Sequence, residues 1–372
     1  MQFCFLGNLK MNKQELFADL KVVELAGVLA GPAVGMFFAE LGANVLKVEN
    51  PSNNGDVTRS WRLESESQNT QSAYYSSVNY NKTIIWADLK KADDLEMVLH
   101  HIASADVVIS NFKPSSAKQL GLDAVALRKK FPKLIYAQIS GYGIDDETPA
   151  FDVVLQAEAG FMFINGEADG VPLKMPIALI DVLAAHQLKE AILVALLQRT
   201  KTGLGSIAHI SLYNAALSSL ANQATNYLMG GEIPQRMGSL HPNIAPYGET
   251  FYTNDRKAIV LAVGNDKQFA LLCKCLNLVL RQAQDDASDL FKTNALRVQN
   301  RKELGKILAE AFSKFDSATL LADLKKNNVP CGDIRSMDEV LDNETAQKLI
   351  LSETLKDGQI TKRMATAVFD IY

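Results

Sequence analysis

The sequence predicts an α/β protein, with a mainly parallel, Rossmann-like sheet in a large domain and a smaller α+β domain beyond it. Three observations carry this. From Leu20 onward, short β-branched runs alternate with helical patterns, as in a parallel sheet covered on both faces. Glycines and a proline punctuate the exit of the first apolar run. From residue 229 the texture changes to a Gly/Pro-interrupted stretch followed by short strands and several helices.

In chain order, KVVELA (21–26) is expected as a buried strand, being a short apolar run closed by Gly27. GPAVGMFFAEL (31–41) follows as a helix, with Pro32 in the first turn, where its missing N–H costs little. ANVLKVE (43–49) is the second strand and TIIWADL (83–89) the third, followed by a helix over 92–103. DVVIS (106–110) and LIYAQIS (134–140) continue the alternation, with helical segments between them. An apolar helical stretch runs from Val182 to Leu197, and another helix is expected over 212–228. After the punctuated stretch 229–251 come strands FYTND and AIVLAV, then helices over 265–280, 301–315 and 317–326. The ten residues ahead of Met11 read as an upstream extension and are set aside.

The first strand–helix–strand unit imitates a dinucleotide site, down to the terminal Glu49. Its glycines, Gly27, Gly31 and Gly35, do not have G-x-G-x-x-G spacing, which weakens a nicotinamide-dependent oxidoreductase. In open parallel sheets, ligands collect outside the carboxyl ends of the strands. Gly27 to Ala30, Glu49 and Asn50, Asn111 and Phe112, and Ser140 to Gly143 all fall at such ends. With the loop Asn79 to Lys82 they make a rim of amides, polar groups, aromatics and a lysine. Such a rim suits an elongated anion carrying an aromatic base. Taken singly, each segment reads first as a turn.

Apolar residues make up 48% and charged residues 22%, an ordinary globular composition, and a formal net charge of −4 argues against general nucleic-acid binding. No apolar run approaches a membrane span, and the N-terminus lacks a basic n-region, so a cytoplasmic protein is expected. The four cysteines, Cys4, Cys273, Cys275 and Cys331, form no CxxC and no metal-ligand set, which suits free thiols in a reducing compartment.

Asp181 stands alone between an apolar run, Pro176 to Ile180, and the helical stretch from Val182. Read by itself, it is a helix N-cap, with an incomplete capping box because Ala184 stands at the third position on. Its context adds a second reading. Asp152, Gln156, Ala157 and Gly160, then Gly166 to Pro172, Asp181, and R-T-K-T-G-x-G (Arg199 to Gly205) follow one another in an order that resembles the class III CoA-transferases. Leu29 to Glu49, Gly55 to Arg59, Asn79 to Lys82, Asn111 to Pro114 and Ser140 to Gly143 extend the likeness, which covers roughly Leu20 to Val340.

The resemblance implies that Asp181 is a nucleophile and that coenzyme A, as a substrate, meets Leu29, Ala30, Asn50, Asn79, Lys82, Asn111, Phe112 and Tyr142. No permanently bound cofactor and no metal are implied. It implies an interlocked, ring-like homodimer, with VPCGDI (329–334) returning the chain to the first domain. The domains are then 20–212 with 335–372, a linker 213–247, and a small domain 248–334. H-P-N-I-A-P-Y (His241 to Tyr247) resembles relatives that use dicarboxylates with succinyl-CoA, and His241 reads either as a substrate contact or as a turn residue. The implied reaction moves CoA from an acyl-CoA to a carboxylic acid through an aspartyl anhydride and a β-aspartyl thioester. The nearest rival is an α-methylacyl-CoA racemase, but Phe151 stands where its His–Asp pair needs the His. A non-catalytic CoA-binding protein is a further alternative, against which Asp181 itself counts.

Overall fold

The computed structural model describes residues 11–278 and 290–372, which form two compact units. One holds the described residues up to Phe161, then Lys174–Glu232 and Glu344–Tyr372; the other holds Met162–Leu173 and Ile233–Asn343.

The first unit is built on six parallel strands: β1 (Lys21–Leu25), β2 (Asn44–Glu49), β3 (Lys82–Trp86), β4 (Val107–Ser110), β5 (Ile135–Ser140) and β6 (Ile207–Ser211). Their order is β3-β2-β1-β4-β5-β6. The inner strands are buried on both faces, which is why their sequences read as continuous apolar runs. Its longer helices are α1 (Ala30–Glu40), α2 (Ala92–Ala103), α3 (Pro114–Leu120), α4 (Ala124–Lys130), α5 (Asp152–Glu158), α6 (Leu179–Thr202), α7 (Leu212–Ser218) and α8 (Ala221–Gly230). Val34 and Phe38 of α1 share one core with Leu188 and Ile192 of α6. Val98 and Ile102 of α2 belong to another, with Leu122 and Leu127. Burying side chains of this size contributes about 2 kcal/mol each. Strand order reverses between β1 and β4, so their carboxyl ends flank a crevice.

Beneath that crevice lies a buried network of charges. The β1–β2 register sets Glu24 beside Lys47, and their side chains meet at 2.9 Å with almost no exposure. Lys47 also reaches Asp56 at 3.1 Å and donates to the Ala26 carbonyl, while Lys82 meets Glu24 at 2.8 Å. Burial opposes ionisation of Glu24, yet Lys47 and Lys82 hold its pKa below the ordinary value. Asp56 accepts the Val28 N–H, fixing a β-branched residue at φ 71° in the turn after β1. A Cβ on Gly35 would collide with the Glu24 carboxylate, and one on Gly31 with the Ala26 methyl. These two glycines let α1 pack on the charged strand; they do not cradle a phosphate.

Two elements depart from the sequence reading. Strand β6 was not expected, because I-A-H-I-S is short and half-exposed at the sheet edge. The helix expected over 212–228 is two helices, α7 and α8, broken where Ala221 takes φ 46°.

In the second unit, β7 (Tyr247–Tyr252), β8 (Ala258–Ala262) and β9 (Cys331–Asp333) form an antiparallel sheet in that order. It is covered by α9 (Asp266–Cys275), α10 (Asn294–Gln299), α11 (Arg301–Phe312) and α12 (Ser317–Lys326), around a core including Phe251, Ile259, Leu272, Leu308 and Phe312. The helix expected over 265–280 ends at Cys275, and its last two positions lie outside the described residues, as does Cys4. VPCGDI does not return the chain; it supplies β9, and the return falls at Glu344. Residues 213–232, expected as linker, are α7 and α8 of the first unit.

The returning segment forms a hairpin, β10 (Ile350–Thr354) with β11 (Ile360–Met364). Just beyond it, the Glu40 carboxylate at the end of α1 accepts the N–H groups of Thr366 and Ala367 and the Thr366 hydroxyl. Among the described residues, no helix is long and apolar enough to cross a membrane and no His/Cys/Asp/Glu group could hold a metal.

Lys47→Met strands Asp56 and weakens the hold on Glu24. It is expected to destabilise the chain by about 3–5 kcal/mol, measured as a fall in the urea denaturation midpoint.

Candidate active site

The crevice opens into a cleft of about 280 Å³. Its wall takes Gly27 to Ala30 from the turn after β1, Asn111 to Pro114 from the turn after β4, and Ser140 and Gly141 from the end of β5. Residues from the 146–152 segment and Asp181 close it.

Asp181 does not cap its helix. Helix α6 begins at Leu179, not Val182, and places Asp181 in its first turn; Ala178 stands at the N-cap with no side-chain bond. The cap comes from α5. Asp152 Oδ1 accepts the Ile180 N–H at 2.7 Å and the Asp181 N–H at 3.4 Å. Asp152 Oδ2 accepts from Gln156 Nε2 at 2.6 Å, and Gln156 Oε1 accepts the Met175 N–H at 2.7 Å. Asp152 and Gln156 stand one turn apart on α5, so the D-x-x-x-Q spacing is the geometry of this clamp.

The Asp181 side chain is therefore left to the cleft. The residue is 8% exposed, and no hydrogen bond to its carboxylate occurs among the described residues. Burial first, and the neighbouring Asp152 charge second, push its pKa up to about 7. A helix N-terminus favours an anion, but here loss of water outweighs that pull. Such a carboxylate is ionised at slightly alkaline pH, weakly solvated and more basic than a surface Asp, as suits a nucleophile.

The other expected site residues separate into two groups. Leu29, Ala30, Asn111 and Phe112 line the cleft. Asn111 locks the turn after β1, accepting the Gly27 N–H at 3.3 Å and donating to the Gly27 carbonyl at 3.0 Å. Phe112 also borders an adjoining pocket, which Asn50 lines along with Lys90 and Gln119.

Asn79, Lys82 and Tyr142 are not on either wall. The Lys82 side chain is 1% exposed, and its ammonium meets Glu24, the Pro32 and Val78 carbonyls and Asn79 Oδ1. That corrects the expectation of a phosphate-binding lysine: the fully committed ammonium stabilises β1 and α1 from below. Burial, with Lys47 adding to it and Glu24 opposing, lowers its pKa to about 8. Asn79 is buried with it, donating to the Tyr75 carbonyl. The Tyr142 hydroxyl donates to Glu158 at 2.6 Å, and its ring lies 5.7 Å from that of Tyr213.

The G-D-x-x-R block is likewise structural in its side chains. Asp56 joins the ion network, while Arg59 pairs with Glu49 at 2.6 Å. His241, in the second unit, accepts the Asn243 N–H at Nδ1 and packs edge-on against Tyr247, contacts that fit the turn reading.

Sequence reasoning passed over Lys90, which lines the adjoining pocket and sits in an unremarkable D-L-K-K turn. It also missed Tyr74, half-buried against Trp61, whose pKa is raised by burial first and then by the Asp181 and Asp152 charges. No spacing signal marks either residue.

Comparison with known proteins shows the family. The profile of "CoA-transferase family III" matches residues 17–371. The chain is 37% identical to a succinate–glutarate CoA-transferase of Agrobacterium fabrum, over 96% of this chain and 90% of that protein. It is also 37% identical to the succinyl-CoA:glutarate CoA-transferase of Mus musculus, over 86% and 72% of the two chains. Among solved structures, a CaiB/BaiF family protein from Brucella suis superposes with a TM-score of 0.79 at 36% identity, covering 96% of this chain and 93% of that one.

The raised pKa carries a stability cost with a definite sign. The folded state holds the Asp181 proton more tightly than the unfolded chain, so the cost grows as pH rises from 3.8 and is complete above about 7. Asp181→Asn is expected to raise the melting temperature at pH 8, by up to about 4 kcal/mol of stability. The gain should shrink toward pH 4, as thermal melts at the two pH values will show.

Proposed function

The chain belongs to CoA-transferase family III and is a CoA-transferase, with CoA as its substrate; on that premise we propose that it moves CoA from succinyl-CoA to a dicarboxylic acid of glutarate size, with Asp181 as acyl carrier. One observation carries the reading: Asp181 faces the cleft with its carboxylate unbonded among the described residues, because Asp152 caps its helix. The names of the relatives support the substrate class.

In the proposed reaction, a carboxylate oxygen of Asp181 attacks the succinyl-CoA thioester carbonyl. The tetrahedral intermediate collapses, the C–S bond breaks, and a mixed anhydride forms with CoA thiolate as leaving group. The thiolate then attacks the aspartyl carbonyl, releasing succinate and leaving a β-aspartyl thioester. The acceptor carboxylate attacks that thioester and forms a second anhydride. The thiolate finally takes the acceptor's acyl group, restoring the Asp181 carboxylate. One thioester is exchanged for another of similar energy, so each step is close to balanced.

Leu29, Ala30, Asn111 and Phe112 would flank the pantetheine arm entering the cleft. Asn50 and Lys90, across Phe112, would meet the nucleotide end, Lys90 taking the phosphate role expected of Lys82. A homodimer completes the proposal. Exposed Val194 and Leu197 on α6 and Leu228 and Met229 on α8 support burial against a second copy.

Incubation with succinyl-CoA and a panel of acids, followed by mass spectrometry, tests the activity; glutaryl-CoA is expected with glutarate. Asp181→Ala should lower exchange by at least about 10³-fold while CoA still binds. Exchange at wild-type rate in that variant would sink the mechanism. With the wild type, kcat should rise with pH through about 7 and level off as Asp181 ionises. Asp152→Asn removes a like charge, so its midpoint should move to lower pH.

A further inference from the structure

Ser140, the last residue of β5, lines the cleft, and its Oγ lies 2.9 Å from Nε2 of His209 in β6. The parallel register sets Gln138 beside His209 and Ser140 beside Ser211. With a side-chain period of two, these residues share one face of the sheet, and the imidazole reaches diagonally to the hydroxyl. His209 is half-buried and is not part of the cleft wall; it stands behind Ser140.

Burial lowers the His209 pKa, with Asp145 the charged group opposing it, so the ring is neutral at pH 7. A neutral imidazole has one N–H and one lone pair. If Nε2 carries the lone pair, Ser140 donates backwards and shows the cleft only acceptor electrons. If Nε2 carries the hydrogen, it donates to Oγ and frees the hydroxyl proton to point into the cleft. Of the charged residues lining the cleft, Asp146, Asp152 and Asp181 are acids and Lys113 is a base, and the acyl oxygens that gather there are acceptors too. Their field favours the second arrangement.

We propose that Ser140 donates a hydrogen bond to the oxyanion that forms as the acyl group passes through Asp181, and that His209, as the Nε2–H tautomer, is the positioning residue that turns the hydroxyl inward. The proposal rests on the transferase reading. Donation to charge that exists only in the transition state favours turnover over binding.

The test is a variant series in succinyl-CoA–glutarate exchange, each protein first shown to be folded by circular dichroism. Ser140→Ala is expected to lower kcat by about 10²-fold while the Kd for CoA is unchanged. His209→Met should fall to the same level. His209→Gln places an amide donor near the lost Nε2–H and should recover most of the rate. The Ser140→Ala/His209→Met double variant should be no slower than either single one, since the pair acts as a unit. Near wild-type kcat in Ser140→Ala, no recovery in His209→Gln, or losses that multiply in the double variant would each overturn the proposal. Failure of the transferase reading is seen separately, as no exchange by the wild type, and failure of the Asp181 role as exchange that survives Asp181→Ala.

Discussion

The structure around the cleft depends on a carboxylate that sits at the start of a helix to which it does not belong. The first turn of any helix exposes N–H groups that need acceptors. In α6 they are met by Asp152 from α5, steadied in turn by Gln156. Had Asp181 done this work itself, strong hydrogen bonds would have lowered its pKa and, in the reaction we propose, blunted its attack. Moving the cap to another helix separates the structural task from the chemical one proposed for Asp181. The same placement brings a second negative charge near Asp181, which adds to burial in raising its pKa. The cap and the charge that raises the Asp181 pKa are thus one side chain.

The opposite wall is held from below. Glu24, Lys47, Asp56 and Lys82 are buried with little contact with water. Removing one partner from such a set leaves a charge without compensation, so it tolerates little change. What it secures is geometric. Asp56 holds Val28 in a left-handed conformation, and Asn111 holds Gly27 from the neighbouring strand. The turn that faces the cleft is fixed from both sides of the crevice.

Much of this was legible in the sequence. The alternation of apolar runs and helical patterns gave the parallel sheet because both faces of its inner strands are buried. The block at Asp152 and Gln156 was visible as a spacing, and one helical turn explains it. Other parts were hidden for physical reasons. A lysine looks the same in a motif whether it faces phosphate or lies under a strand, and only the register of β2 on β1 and β3 shows that Lys82 is buried. Strand β6 lies at an edge, where half-exposure erases the apolar signal. The His209–Ser140 contact joins residues 69 apart, beyond any local pattern. The second unit's third strand comes from a segment of three residues, too short for its period to show.

The bonds from Glu40 to Thr366 and Ala367 span up to 327 positions. During synthesis from the N-terminus, α1 emerges early, but the groups that satisfy its final carboxylate are made 326 and 327 residues later. The first sheet can gather while the chain grows; its closing clasp cannot. Loss of Thr366 and Ala367 would therefore take these hydrogen bonds from a buried acid at the far end of the very helix whose start forms the cleft wall.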